Sequence, residues 1–417
     1  MGEARGLGFG PGGNRQFVRP LGVFAPWRLQ AYGYTLAAAF GALIVYLFHR
    51  YAWLLSKDGV PVYHDFTTTY VAGWLALHGQ TGTIYLAAAF RGAQDALVGT
   101  GHALFSNWPY PPIYFLILAP LATLPYVAAF LAWGVSTLIG YLVVVYLIVR
   151  QRPTIAVSLA SPFVAWNFIA GQSGALTASL VGAALLTLER RPALAGLFIG
   201  LLTYKPQFGI LFPVALVAAR QWRTIFSAAA TTALLAGVSI VLFGIGPWEA
   251  FPRELVAQAG LNLVVGPGHG ADVSPWGQVQ TVYGFVRRLH GGAPLAWLAQ
   301  GMTTFGVAFI VWQVWRSGAR YALKAATLSV AALLATPYAF AYDLAAIAVP
   351  VAFVAKDQID HGLLRGEQTI LLALFSASLF LFVLAGRAPG GALILLALLW
   401  LILRRALAVQ HAAVAFG

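Results

Sequence analysis

Four uncharged apolar runs, Leu29–Phe48, Pro125–Val149, Ile225–Ile245 and Pro294–Trp315, decide what this chain can fold into. A helix needs about 20 consecutive apolar residues to cross the hydrocarbon layer of a bilayer, and each run reaches that length. Shorter apolar stretches at Thr154–Ala170, Ala175–Leu188, Leu323–Ala335, Ala339–Val354, Ile370–Leu384 and Ala392–Leu403 bring the candidate spans to ten. Only 9% of the residues are charged, against roughly 25% in a soluble domain. A water-facing surface cannot be built from so few. The expectation is an all-α polytopic membrane protein.

Leu29–Phe48 begins too late and runs too long for a cleaved signal peptide, so it reads as the first span. Residues 1–28, with Arg5, Arg15, Arg19, Arg28 and many glycines, read as a disordered inner-face tail. Residues 29–417 then form a single membrane domain. The net charge of +13 is gathered at span ends, at Arg150/Arg152, Arg190/Arg191, Arg220/Arg223, Arg316/Arg320/Lys324, Lys356/Arg365 and Arg404/Arg405. That is the positive-inside pattern rather than a nucleic-acid footprint, and no nucleic-acid partner is expected. It places both termini inside and two large loops, 49–108 and 247–293, outside. Smaller outer turns fall near Gly171–Gly174, Thr336–Tyr342 and Gly386–Gly391. Pro111, Pro112, Pro120 and Pro125 interrupt the stretch before the second long run, so Tyr110–Leu121 reads as a short or re-entrant helix. Cysteine is absent, which removes disulfides and thiol chemistry.

Polar groups inside a membrane are costly and call for a reason. Of the four lysines, Lys205 alone lies away from a span end, inside Leu194–Leu216. Basic residues flank that stretch on both sides, which predicts a helical hairpin with its tip at Lys205-Pro206. A lone ammonium there costs about 2.5–3.5 kcal/mol. Two readings are open: the lysine snorkels or caps carbonyls, or it pairs with a bound anion.

The twelve acidic residues contain no Asp-x-Asp pair, so the usual metal clamp of nucleotide-sugar enzymes is missing, and neither metal nor cofactor is expected. Asp65, within Val62-Tyr-His-Asp-Phe-Thr-Thr-Thr-Tyr70, follows the first span by about 17 residues. Aromatic neighbours raise a carboxyl's pKa by desolvation, as general-base work requires. The competing reading is a loop aspartate that caps a helix beginning at Phe66-Thr67. Other outer-side polar groups are Tyr110 in Asn107-Trp-Pro-Tyr-Pro-Pro112, then Gln172, His269, Asp272, Trp276, Tyr338, Tyr342 and Asp343. Aromatics at span ends are more often interfacial belt than sugar platforms.

Taken in order, His64-Asp65-Phe66, Tyr110-Pro-Pro112, Gly171-Gln172, Lys205-Pro-Gln207, Thr336-Pro-Tyr338 and Tyr342-Asp343 resemble the motifs of glycosyltransferase family 87, in the GT-C superfamily. That family includes polyprenyl-phosphate-mannose-dependent mannosyltransferases. The resemblance spans nearly the whole chain after the tail. It implies a bundle of about ten to thirteen membrane helices with outer-face loop helices closing over a cavity. It implies transfer of a hexose, mannose above others, from a polyprenyl-phosphate donor to a lipid or glycan acceptor. The site would face the periplasm or exterior of a bacterial inner membrane, among membrane lipids. Asp65 would be the base of an inverting, metal-independent displacement. Lys205, with Arg287 or Arg288, would meet the donor phosphate, and His64, Tyr110, Gln172, Gln207, His269, Trp276, Tyr338, Tyr342 and Asp343 would contact substrate. One departure stands out: relatives often carry Ser-Pro-His where this chain has Thr336-Pro-Tyr338, which puts an imidazole role there in doubt. The rival classes are a transporter or flippase for a lipid-linked sugar, and an O-antigen ligase type of enzyme. The first is disfavoured by the absence of repeated halves.

Overall fold

The four long apolar runs fold as four long helices. The structure, a computed structural model, describes residues 17–18, 25–99, 108–260, 278–384 and 388–415. In chain order, α1 (Pro26–His49) leads into three short helices, α2 (Asp65–Leu77), α3 (Thr81–Ile84) and α4 (Ala87–Val98). A 3-10 turn at Pro112–Tyr114 enters α5 (Phe115–Leu121), and α6 (Tyr126–Val149) follows. Next come α7 (Pro153–Leu159), α8 (Pro162–Ala170), α9 (Gly174–Thr187), α10 (Pro192–Leu201), α11 (Phe212–Ala218) and α12 (Trp222–Phe243). The second half holds α13 (Gly246–Gly260), α14 (Val282–Arg288), α15 (Ala293–Arg316), α16 (Tyr321–Ala335), α17 (Ala348–His361), α18 (Glu367–Val383) and α19 (Gly391–Ala415). Prolines open α1, α7, α8 and α10, where the missing N–H is unneeded and the fixed φ suits the first turn.

The chain is an all-α polytopic membrane protein. Among the described residues, α1, α6, α12, α15 and the 391–408 part of α19 are long and apolar enough to cross a membrane. The pair α7 and α8, bent by 56°, adds a sixth if it is one broken span. Among the described residues, full-length helices thus account for five or six crossings of the expected ten to thirteen. The remaining apolar helices, α9 and α16 among them, are only 10–17 residues long. Proline breaks and glycine turns cut apolar runs that length alone would count as spans.

Residues 1–28 are expected to be disordered, yet Phe17–Val18 pair antiparallel with Leu363–Leu364, in the turn between α17 and α18. Near that turn, Arg320, Asp357, Glu367 and Arg405 tie α16, α17, α18 and α19 together. This is the basic end of the molecule.

Lys205 does lie at the tip of a hairpin. Ser227 donates to the Ala193 carbonyl, Gly196 abuts Ser227, and Gly200 abuts Thr231. Both sequence numbers rise together, so α10 and α12 run parallel. The intervening 3-10 turns, Leu202–Tyr204 and Pro206–Phe208, and then α11 must return the chain to the side it came from.

Helices α6 and α9 also run parallel, since Gly140 faces Ser179 and Gly182 faces Val144. With 24 residues against 14, and a 1.5 Å rise each, α6 is longer by about 15 Å. Its first turns stand beyond the start of α9. Helix α2 packs there, with Phe66 against Phe130 and Thr67 bonded to Tyr126. The start of α9 is thus recessed below the first turns of α6 and covered by the first loop.

Candidate active site

Asp65 reaches this recessed helix start because its own helix is capped by its neighbour. The Phe66 N–H donates to His64 Nδ1 at 3.2 Å, and the His64 N–H donates to Thr67 Oγ1 at 3.2 Å. The helix begins at Asp65 with His64 as its N-cap, which overturns the reading of Asp65 as the cap. The His64 Nε2 side meets Tyr126 Oη at 3.2 Å. Burial pushes its imidazole down to about 4, so the ring is neutral near pH 7. Both ring nitrogens are thereby used within the fold.

Released from capping, Asp65 points at the turn between α8 and α9, where Gln172 Nε2 donates to its Oδ2 at 3.1 Å. Two glycines allow this approach. Gly171 ends α8 with φ +66°, and a Cβ on it would fall 2.6 Å from Phe66 Cβ and 2.7 Å from the Phe130 ring. Gly174 starts α9, and a Cβ there would fall 2.1 Å from the Tyr342 carbonyl oxygen. Asn167 caps α9, accepting the Gly174 N–H at 2.6 Å.

The Tyr342 contact sets the next residue. Asp343 accepts Lys205 Nζ on Oδ1 at 2.8 Å and the Phe340 N–H on Oδ2 at 3.0 Å. Both members of the ion pair are buried. The Tyr342, Tyr110 and Phe208 rings lie 5.2, 5.6 and 5.8 Å from the ammonium, close enough for cation–π attraction. Tyr204, just before Lys205, holds the tip in place, with its hydroxyl 2.6 Å from Thr177 Oγ1 and 3.1 Å from the Ser173 carbonyl. Burial raises the Asp65 carboxyl above its ordinary value. The Gln172 amide and the Lys205 ammonium pull it back, and Asp343 adds to the rise.

Five of the expected residues are therefore drawn together: Asp65, Gln172, Lys205, Asp343 and Tyr342, with Tyr110 beside them. Gln207 is half-buried one residue past the tip proline. Tyr338 packs edge-on against Phe340, 4.9 Å between centroids. Arg287 and Arg288 end α14, where Arg287 donates to the Gly291 carbonyl at 3.2 Å. Among the described residues, no hydrogen bond or ion pair joins either arginine to the Lys205–Asp343 pair. His269, Trp276 and Asp272 lie outside the described residues. Tyr204 and Asn167 also position the site; in the sequence Asn167 and Gln172 bracket the turn between two apolar stretches, whereas Tyr204 carries no role. The signal for Tyr204 is its place directly before the hairpin tip.

A cavity of about 450 Å³ lies between α5, α6 and α9, lined by Ile117, Leu121, Leu124, Trp133, Gly140 and Leu176 among others. It is largely apolar. Its Trp133 donates to the Gly171 carbonyl at 3.1 Å, so one side chain borders both the cleft and the turn carrying Gln172.

The fold and the site thus define a polytopic membrane protein with a buried carboxylate–ammonium cluster beneath its first loop. Residues 108–337, a little more than half of the chain, match the sequence profile of Glycosyltransferase family 87, and the chain belongs to that family. The match takes in Tyr110, Gln172, Lys205, Gln207, Arg287 and Arg288. No curated protein and no solved structure matches the chain.

Proposed function

We propose that this membrane glycosyltransferase moves a hexose, mannose above others, from a polyprenyl-phosphate donor to a lipid or glycan acceptor. The reading places the reaction at the outer face of a bacterial inner membrane. The observation that carries it is Asp65, pinned by Gln172 in the recess that also holds the Lys205–Asp343 pair.

In the proposed step the acceptor hydroxyl oxygen attacks the anomeric carbon. Its proton passes to Asp65 while the bond from the anomeric carbon to the phosphate oxygen breaks. The polyprenyl phosphate leaves with that electron pair, and a single displacement inverts the anomeric centre. An ammonium has three N–H donors, and Lys205 has one hydrogen-bond partner among the described residues. The other two would bond a donor phosphate admitted beside the buried pair, and would stabilise its growing charge. The apolar cleft past Trp133 suits the isoprenoid chain, since apolar residues of α5, α6 and α9 line it.

Purified protein incubated with a panel of radiolabelled polyprenyl-phosphate hexoses and a lipid extract of the source organism tests this. Label should move to a new lipid or glycan product. Movement of the intact donor across vesicles, with no product, would favour a flippase instead.

A further inference from the structure

Two carboxylates and one ammonium meet at the foot of the recess, and both members of the ion pair are anchored to the same helix end. Asp343 Oδ2 is held by the Phe340 N–H, and the Tyr342 carbonyl beside it abuts Gly174. Lys205 is held through Tyr204, which bonds Ser173 and Thr177. Asp65 reaches the same helix end from the other side, through Gln172. Donor binding alone does not call for this arrangement. A carboxylate that neutralises a lysine weakens that lysine's hold on an arriving anion, so Asp343 needs another reason to be there.

We propose that Asp343, Lys205 and Asp65 form a line of alternating fixed charge, in which Asp343 anchors the ammonium and the anchored ammonium is the counter-ion of the Asp65 carboxylate. Asp343 is then a positioning residue and not a sugar contact. Lys205 acts through Asp65, whatever else it gives the donor. This rests on the reading of Asp65 as the base.

The physical need is plain. A base must be unprotonated when the acceptor arrives, and burial favours the protonated form. An opposite charge restores the ionised form, and Lys205 pulls Asp65 in that direction while Asp343 opposes it more weakly. The other titratable groups around Asp65 are the phenols of Tyr110 and Tyr342 and the neutral ring of His64. None of these carries charge near neutrality. Burial and the Gln172 hydrogen bond act on Asp65 first, and Lys205 and Asp343 are the charged neighbours that then bias its state.

The test is the pH dependence of kcat/KM for transfer from the radiolabelled donor, on full-length protein in lipid nanodiscs. Lys205→Met should move the acid limb to higher pH, and Asp343→Asn should move it to lower pH. On the acid side, each unit of displacement reads as a tenfold change in rate. Because Lys205→Met strands Asp343, the double variant Lys205→Met/Asp343→Asn is measured too. It removes both charges, and its limb should stay above that of the wild type. Limbs that stay in place in folded variants, with only the donor KM or the yield changed, would overturn the inference. An inactive Asp65→Asn alongside unmoved limbs would sink the charge line and leave the base standing. Wild-type turnover in Asp65→Asn would sink both.

Discussion

The molecule buries charge at both ends, and the two clusters are built differently. At the basic end Arg405, 1% exposed, binds Asp357 and both oxygens of Glu367, and it also donates to the Asp357 and Gly362 carbonyls. Arg320 adds a second cation on Asp357, and Glu367 accepts the Leu364 N–H and the Gln358 amide as well. Two cations balance two carboxylates, and Arg405 is engaged along its whole guanidinium. At the recess, one ammonium serves two carboxylates, and both Lys205 and Asp65 keep bonding capacity in reserve. A cluster whose charges balance fixes helices, whereas one with a carboxylate in excess of its cation is suited to a further partner. Buried polar atoms without a hydrogen bond occur at both ends, Arg320 Nε and Asp357 Oδ1 at one and Ser173 Oγ at the other, so the contrast lies in the balance of charge.

Substitutions can break that contrast. Arg405→Met strands Glu367 and leaves Asp357 to Arg320, and should cost about 3–5 kcal/mol. The expected readout is loss of monodisperse protein or a large drop in melting temperature. A stable, fully active Arg405→Met would erase the distinction between the two ends.

Gly171→Ala should spare the basic end and harm the recess. A left-handed backbone costs a non-glycine residue roughly 1–2 kcal/mol, and the new Cβ would drive Phe66 and with it Asp65 from Gln172. Transfer should fall at least about tenfold, since small misplacements of catalytic groups are expensive, while the melting temperature drops modestly. Unchanged transfer would show that the Asp65–Gln172 contact is dispensable.

Gly140→Leu fills the cleft beside Trp133. Turnover of long-chain donor should fall several-fold, while a donor with a truncated isoprenoid chain is used as before. Equal losses on both donors would remove the cleft from the account.

The smallest effect concerns the His64 cap. Its folded value of about 4 lies below the ordinary 6.5. The neutral ring's contribution to stability is therefore full above about 6.5 and is lost as pH falls towards about 4. His64→Asn keeps a good N-cap without titrating, so hydrogen exchange in α2 should lose its acid dependence. The same acid dependence in both proteins would put its source elsewhere.

The long helices were legible because apolar run length is a one-dimensional signal: Pro125–Val149 in the sequence is α6 almost residue for residue. The hairpin was legible too, from a lone lysine before a proline between two basic flanks. The partners of these residues were not. Lys205 and Asp343 stand 138 residues apart, and no periodicity links them; the only hint was that an intramembrane lysine needs a counter-ion. His64 read as a motif residue and proved a cap, although Thr67 three residues later is the spacing of a capping box. The glycines beside Gln172 signalled a turn, but not that the turn receives Phe66. Arg405 read only as a topology signal, because burial of a terminal arginine depends on three helices that the sequence does not place together.

The central claim, that Asp65 takes the acceptor's proton, is tested most directly by single-turnover transfer and donor binding measured on the same Asp65→Asn preparation. The account predicts a rate lowered about 10²–10⁴-fold, with donor affinity and melting temperature close to those of the wild type. Near-normal transfer by a folded Asp65→Asn protein would contradict it.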